Sequence, residues 1–349
     1  MLLPSITLIV GLACLVWSAN LFVSGSASAA RHMGMSPVMI GLTIVALGTS
    51  APEIIVSADA AWNDAPDLGI GNAIGSNIAN IGLVLGATAL FTTIPVASSL
   101  LRRELPVLLL VTAAAGACLW DHHVSFIEGV ILLSSTGLVL GTLIWGAWKS
   151  YRRPSEPDSK PAADHCNPDI DLDELAADIP ELPVVKTWIL LVAGLLFLLA
   201  SADVLVWSAT ELAHYFGVSP LIIGLTVVAL GTSLPELAAS IASALKGHHD
   251  IAVGNIMGSN VLNILAVMSI PALIDPPQLS AHVLHRDYGT MLALTLLLAA
   301  IIVRHAILCD RHLQQGVAEH ECGGISKRWG ALLLACYVAY YLAIFATAK

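Results

Sequence analysis

Long apolar segments alternate with short polar connections along most of the chain. Ten segments are long enough to cross the roughly 30 Å hydrocarbon core of a bilayer as helices. They occupy residues 3–25, 36–62, 68–92, 104–120, 125–148, 184–212, 219–245, 250–274, 287–308 and 330–347. The pattern predicts an all-α polytopic membrane protein with ten transmembrane helices.

The composition agrees with this prediction. Of the 349 residues, 57% are hydrophobic and 11% are charged, and the mean hydropathy is +0.82. Soluble domains carry about 25% charged residues, so a soluble globular protein is excluded. The first apolar segment lacks a basic leading region and a small-residue cleavage site, and we expect it to be a retained helix rather than a signal peptide.

Lysine and arginine residues predict the orientation, because they favour the cytoplasmic side. With the N-terminus outside, thirteen of the fifteen fall in the cytoplasm, and Arg286 and Lys349 lie outside. We expect a multi-pass protein of a bacterial or archaeal-type plasma (inner) membrane. The net charge of −10 comes largely from the loop 149–183. There is no basic patch for nucleic acid, and no obligate protein partner is evident.

The loop 149–183 also divides the chain. It is rich in Pro, Asp, Glu and Ala, and we interpret it as an acidic cytoplasmic linker between two blocks of five segments, 1–148 and 184–349. Because five is odd, the second block enters the membrane from the opposite side. The chain is therefore predicted to form two inverted-topology five-helix repeats, an arrangement common in secondary transporters.

The two blocks contain nearly the same sequence. Residues 34–53 return as 217–236 at an offset of 183, with fifteen of twenty positions identical. Each copy ends in Gly-Thr-Ser-x-Pro-Glu, at Glu53 and Glu236. A charged residue in hydrocarbon is unfavourable by roughly 2.5–3.5 kcal/mol on insertion scales. Two carboxylates at equivalent positions therefore indicate a functional site.

The motif suits a hard cation. Its proline removes a helical hydrogen bond, and in a bilayer the freed carbonyl needs protein, water or an ion in exchange. Two carboxylates, the backbone carbonyls of Thr49 and Thr232, and an amide or water make about seven oxygens, which fits Ca²⁺. Several Na⁺ ions on the same oxygens are the alternative. A simpler interpretation is that each motif is only a proline kink whose glutamate is buried for packing. The presence of the complete motif in both blocks disfavours this interpretation.

A second motif, Gly-Asn-x-x-Gly-Ser-Asn, follows in each block at 71–77 and 254–260. Ser76 and Asn80 are four residues apart, as are Ser259 and Asn263, so each pair shares one helix face. Their hydroxyl and amide oxygens could complete a coordination shell. Close helix packing by the small residues is an additional role.

Together these motifs resemble the alpha-repeats of the sodium/calcium exchanger family, in the cation/calcium exchanger superfamily, and are most similar to short prokaryotic calcium/sodium antiporters. The alpha-1 motif would span 34–80 and the alpha-2 motif 217–263. The resemblance implies that Glu53 and Glu236 are central ligands for both ions. The other implied ligands are Thr49, Thr232, Ser76, Ser259, Asn80, Asn263 and the carbonyls of Ala46 and Ala229.

The implied function is secondary active antiport that exchanges Na⁺ for Ca²⁺ by alternating access and normally extrudes Ca²⁺. Both ions are substrates, no cofactor is expected, and the protein is not expected to be an enzyme. Exchange coupled to H⁺ or K⁺ at the same site is an alternative, and a cation channel is a weaker one. Several relatives carry aspartate where Asn263 stands, so the stoichiometry does not carry over to this chain.

Overall fold

A computed structural model gives the fold of the protein. It describes residues 2–96, 100–151, 182–216, 229–314 and 324–347, without the side chains of 143–151, 229, 310–314 and 347. Most of the predicted linker 149–183 lies outside these residues. The start of the alpha-2 motif, 217–228, also lies outside them.

The described chain is almost entirely helical. In order, the helices are α1 (Leu2–Met33), α2 (Pro37–Thr49), α3 (Ala51–Trp62), α4 (Pro66–Phe91), α5 (Leu100–Glu104 continued by Leu105–Leu119), α6 (Phe126–Tyr151), α7 (Val184–Tyr215), α8 (Ala229–Thr232), α9 (Leu234–Leu245), α10 (His249–Ile274), α11 (Val283–Tyr288 continued by Gly289–Gln314) and α12 (Lys327–Thr347). The strands β1 (Ile94–Pro95) and β2 (Gly324–Ile325) pair antiparallel. This short ladder was not predicted, because two residues carry no periodic signal.

Several helices have the length and composition of membrane spans. Within the described residues these are α1, α4, α7, α10, α11 and α12, and the bent pair α2 and α3 adds a seventh. Helix α1 ends at Met33 and not near residue 25 as predicted. Its last turns consist mainly of Ser and Ala, which are compatible with a helix although less apolar, and Arg31 and His32 complement the negative end of the helix dipole.

Two separate hydrophobic cores hold the helices together. The larger core joins side chains of α4, α5, α6, α10, α11 and α12. The smaller core lies mainly between α1 and α7, around Phe22 and Leu198, and extends to Ala239 on α9. Helices α1 and α7 therefore pack as a pair on the remainder of the protein.

Helices α1 and α7 lie antiparallel along most of their length. The Ser28 and Thr187 hydroxyls are 2.7 Å apart near one end, and those of Thr7 and Ser208 are 2.8 Å apart near the other. Between them, a Cβ added to Gly25 would lie 2.4 Å from the Leu191 nitrogen. Small residues thus permit the backbone contact that membrane helices use in place of a hydrophobic driving force.

Helices α2 and α10 are also in close contact. A Cβ on Gly254 would lie 2.4 Å from the Val38 carbonyl oxygen, and a Cβ on Gly258 would lie 2.6 Å from that of Leu42. Any larger residue would force these helices apart. The contact holds α2, which ends in the first Gly-Thr-Ser motif, against α10, which carries the second block's Gly-Asn-x-x-Gly-Ser-Asn motif.

Candidate cation site

The first motif interrupts its helix. Helix α2 ends at Thr49, and α3 starts at Ala51 with a bend of 41°. Pro52 lies in the first turn of α3, where its missing N–H leaves no hydrogen bond unmade. Glu53 follows in the same turn, at the positive end of the helix dipole, which favours an anionic side chain.

The second motif repeats this geometry. Helix α8 ends at Thr232, α9 starts at Leu234, and Glu236 lies in its first turn. The residue at each break, Ser50 in the first copy and Ser233 in the second, has ψ near zero, at 5° and 1°. The proline therefore produced in both copies the break that the sequence predicts.

Both glutamates are buried, and each is only 1% exposed. The Ser76 hydroxyl donates to Glu53 Oε1 at 3.4 Å, and the Ser50 hydroxyl donates to Glu236 Oε1 at 3.3 Å. Because Ser50 comes three residues before Glu53, its bond brings the first helix break onto the second glutamate. The two carboxylates are close enough to repel each other electrostatically. In the described residues, hydroxyl groups hold them, and no lysine or arginine acts on either.

Four helices surround the two carboxylates. Ser76 on α4 contacts Glu53 on α3, and the Asn263 amide on α10 donates to the Asn77 oxygen on α4 at 3.4 Å. Helix α10 also packs along α9, which carries Glu236. Residues from both blocks therefore enclose one site.

Several buried polar atoms of this site have no hydrogen-bond partner among the described residues. They are Glu53 Oε2, Glu236 Oε2, both polar atoms of Asn80, Asn263 Oδ1, Ser233 Oγ and Ser259 Oγ. More than nine in ten buried polar groups in proteins are paired, and leaving one unpaired is unfavourable by about 1–3 kcal/mol. Carboxylate, amide and hydroxyl oxygens collected in this way are suited to coordinating a hard cation.

An asparagine fixes the backbone at each glutamate. Asn72 Nδ2 donates to the Glu53 carbonyl at 3.1 Å, and Asn255 Nδ2 donates to the Glu236 carbonyl at 3.5 Å. The two bonds are related by the same offset of 183. Asn255 Oδ1 also accepts from the Thr49 hydroxyl at 3.1 Å, which ties the first motif to the second block. Both asparagines belong to the Gly-Asn-x-x-Gly-Ser-Asn motifs, but their hydrogen bonds to the glutamate carbonyls were not predicted from the sequence.

The structure brings most predicted ligands together. Thr49, Thr232, Ser76, Ser259, Asn80 and Asn263 are all buried, on helices α2, α8, α4 and α10, which adjoin the glutamate-bearing helices α3 and α9. Thr232 contacts the Glu53 carboxylate and Thr49 that of Glu236. The Ala46 carbonyl already accepts the Ser50 N–H at 2.9 Å and the Thr49 hydroxyl at 3.4 Å. Ala229 starts α8, and only its backbone is described. Ion binding by these residues stays a prediction.

Two further features of the site were not predicted from the sequence. Asn80 begins a π-helical segment, Asn80–Leu85, and Asn263 begins another, Asn263–Val267. Such segments are rare and often lie at functional sites. Ser50 and Ser233 were also missed as site residues, although the exact repetition of Gly-Thr-Ser-x-Pro-Glu gave a signal that could have found them.

Fold and site define a helical polytopic membrane protein with a buried, oxygen-rich acidic site shared by two equivalent motifs. Known proteins agree with this class. A family model described as sodium/calcium exchanger protein matches residues 3–145 and 186–346. The putative antiporter CaxA of Alkalimonas amylolytica is 42% identical over 350 residues, covering 99% of this chain and 100% of that protein.

Two further comparisons extend this result. The sodium/calcium exchanger MaX1 of Methanosarcina acetivorans is 28% identical over 358 residues, 97% of each chain. A solved structure of the sodium-calcium exchanger NCX_Mj, soaked with 2.5 mM Na⁺ and 0.1 mM Ca²⁺, matches with a TM-score of 0.76 and 30% identity over 98% of each chain. The chain belongs to the sodium/calcium exchanger protein family, a family of membrane antiporters.

Proposed function

We propose that the protein is a secondary active antiporter that uses the Na⁺ gradient to extrude Ca²⁺ by alternating access. The observation that carries this proposal is the buried pair Glu53 and Glu236, one from each motif, with an unpartnered carboxylate oxygen on each. Two negative charges balance one Ca²⁺ ion. The same oxygens can instead hold Na⁺, and this competition is what couples the two ions.

The buried site supports the proposed ligand set. Glu53 and Glu236 are the central ligands, because their four oxygens lie where both blocks meet. Amide, hydroxyl and carbonyl oxygens raise the number toward the 6–8 that Ca²⁺ prefers. They come from Asn80, Asn263, Ser76, Ser259, Thr49, Thr232, Ala46 and Ala229. The printed names of MaX1 and NCX_Mj, both sodium–calcium exchangers, support the choice of ions.

The proposed topology has ten crossings in two inverted repeats. The antiparallel packing of α1 on α7 supports it, because these helices open the two blocks and run in opposite directions. The helix bounds also repeat at the offset of 183, as in α3 and α9, or in the starts of α4 and α10. The distribution of Lys and Arg supports a plasma membrane orientation with the N-terminus outside and the loop 149–183 in the cytoplasm.

Sodium-driven uptake tests the proposal. Purified protein is reconstituted into liposomes loaded with Na⁺, which are diluted into Na⁺-free buffer containing ⁴⁵Ca²⁺. We expect uptake that requires the outward Na⁺ gradient and stops when an ionophore dissipates it. Liposomes loaded with choline, and liposomes without protein, are the controls. Uptake that proceeds equally with choline inside would contradict Na⁺ coupling.

Coupling to H⁺ or K⁺ at the same site is the second candidate. The unpartnered Oε2 atoms of Glu53 and Glu236 favour it, because a carboxylate that binds a cation can also bind a proton. The same liposomes separate the two functions when a pH gradient or a K⁺ gradient replaces the Na⁺ gradient. Uptake driven by either gradient in the absence of Na⁺ would assign the coupling to that ion.

A further inference from the structure

A lysine joins the α1–α7 pair to the rest of the protein at one place. Lys246 follows the last turn of α9, and its ammonium group donates to the Asn20 carbonyl oxygen at 2.6 Å and to the Ser24 hydroxyl at 2.8 Å. Both acceptors lie on α1. A cationic donor makes a stronger hydrogen bond than a neutral one, so this contact favours one position of α1 on α9.

Between the described helices α3 and α7, the equivalent contact is missing. The position equivalent to Lys246, at the offset of 183, is Asn63 at the end of α3. Its amide turns back on its own helix and donates to the Asp59 carbonyl oxygen at 2.9 Å. The position equivalent to Asn20 is Asp203 on α7, and its side chain is exposed. Helices α3 and α7 lie wholly within the described residues.

The burial of side chains on α9 and α3 differs between the two blocks in the same way. Ala239 and Ala242 on α9 are buried in the smaller core with α1. Their equivalents on α3 are Val56, which is half-buried, and Asp59, which is exposed. Helix α1 packs along α9, whereas α7 and α3 hardly touch. Among the described residues, the α1–α7 pair therefore packs on α9 and not on the equivalent helix α3.

We propose that Lys246 is a positioning residue that holds α1 against α9 and so closes one approach to the cation site. This inference rests on the proposed function, since closing one approach matters only for a transporter. With the proposed orientation, the Lys246 end of α9 is cytoplasmic, and the equivalent end of α3 faces outside. The contact depends on helix position, because a shift of α1 by one helical turn, about 5.4 Å, would carry Asn20 and Ser24 beyond hydrogen-bond distance of the Lys246 ammonium group.

In the proposed alternating access, α1 packs on α9 in one arrangement and α7 packs on α3 in the other. Loss of the Lys246 contact should shift the balance toward the second arrangement. In Lys246→Met the side chain keeps its apolar stem and loses the ammonium group. We expect the arrangement in which α7 approaches α3 to gain about tenfold in population relative to the wild type, which corresponds to a change of about 1.4 kcal/mol. Lys246→Arg keeps a cationic donor and should retain the wild-type balance.

Distance measurements by double electron–electron resonance on spin-labelled protein in nanodiscs test the proposal. Spin labels at Leu68 and Phe216, both exposed and on the flank opposite Lys246, are introduced into a background without the six cysteines. We expect one long distance in the wild type and a larger short-distance population in Lys246→Met. The matched control is Lys186→Met, an exposed lysine on α7. An unchanged distribution in Lys246→Met, or an equal shift in Lys186→Met, would overturn the proposal.

These measurements need neither transport nor a gradient. If Lys246→Met shifts the distances but the wild type shows no Na⁺-driven Ca²⁺ uptake, the positioning role stands and the proposed function fails. If uptake is Na⁺-driven and the distances do not move, the opposite holds. Monodisperse elution and retained Ca²⁺ binding by calorimetry verify that the variant is folded, and Lys246→Gln offers a second neutral side chain if the methionine variant is unstable.

Discussion

The two blocks of the protein are alike next to the glutamates and different at their periphery. Asn72 holds the Glu53 carbonyl as Asn255 holds that of Glu236. Farther away, Lys246 crosses to α1, whereas its equivalent Asn63 bonds within its own helix. Ligands of one cation can come equally from two blocks. Access cannot be equal at both flanks, because a site open to both sides at once would leak ions.

The largest effect is expected at the shared carboxylates. Glu53→Gln and Glu236→Gln each keep the side-chain shape and remove one of two charges. Because Ca²⁺ affinity depends strongly on ligand charge, we expect each to weaken Ca²⁺ binding by about 100-fold, or about 2.8 kcal/mol. Calorimetric titration with Ca²⁺ measures this change.

Asp59→Asn is the matched control, because it removes a carboxylate that is exposed on the same helix as Glu53. It should bind Ca²⁺ about as well as the wild type. If either glutamine variant bound Ca²⁺ normally, the ion would depend on one block only, and the equivalence of the blocks at the site would be wrong.

A smaller effect of opposite sign, tighter Ca²⁺ binding, is expected from substitutions at Asn80 and Asn263. Asn80→Asp and Asn263→Asp each add a charge at a buried side chain with an unpartnered oxygen. We expect each to tighten Ca²⁺ binding by about tenfold when ionised, since a third carboxylate adds to the attraction. Competition between Ca²⁺ and Na⁺, followed by intrinsic tryptophan fluorescence, measures the change.

Asn63→Asp, which adds the same charge at the exposed end of α3, should leave the affinity unaltered. If Asn263→Asp tightened binding and Asn80→Asp did not, the two positions would differ in their distance from the ion. That result would limit the equivalence of the blocks to the glutamates.

The smallest effect is expected at Asn72 and Asn255, which hold the backbone carbonyls of the two glutamates. The effect should differ between these two residues. Asn255→Ala removes the bond to the Glu236 carbonyl and also the acceptor of the Thr49 hydroxyl, whereas Asn72→Ala removes the bond to the Glu53 carbonyl. We expect Asn255→Ala to weaken Ca²⁺ binding about threefold more than Asn72→Ala, a difference of about 0.7 kcal/mol. Ca²⁺ titration of both variants tests this order, and the reverse order would contradict the link between the blocks.

Much of this arrangement follows from the sequence. The apolar segments predict the helices to within a few residues in most cases, because their ends are marked by polar or helix-breaking residues. The duplicated Gly-Thr-Ser-x-Pro-Glu predicts both helix breaks, since Pro52 and Pro235 cannot continue the helix before them. The unfavourable burial of carboxylates predicts that Glu53 and Glu236 belong to a site.

Other features depend on tertiary contacts and have no local signal. The π-helical segments that begin at Asn80 and Asn263 arise within apolar runs that would suit an α-helix equally well. Lys246 lies 226 residues from Asn20 in the chain, so only the packing of α1 on α9 reveals their contact. The extension of α1 to Met33 was likewise hidden by the moderate polarity of its last turns.

The proposed function requires that one cation is held jointly by Glu53 and Glu236. An experimental structure with bound Ca²⁺, or with Sr²⁺ located by its anomalous scattering, tests it most directly. We expect one strong peak within about 2.3–2.6 Å of carboxylate oxygens from both glutamates for Ca²⁺, and slightly longer distances for Sr²⁺. A peak coordinated by only one of them, or a transport-active protein whose ion lies elsewhere, would contradict it.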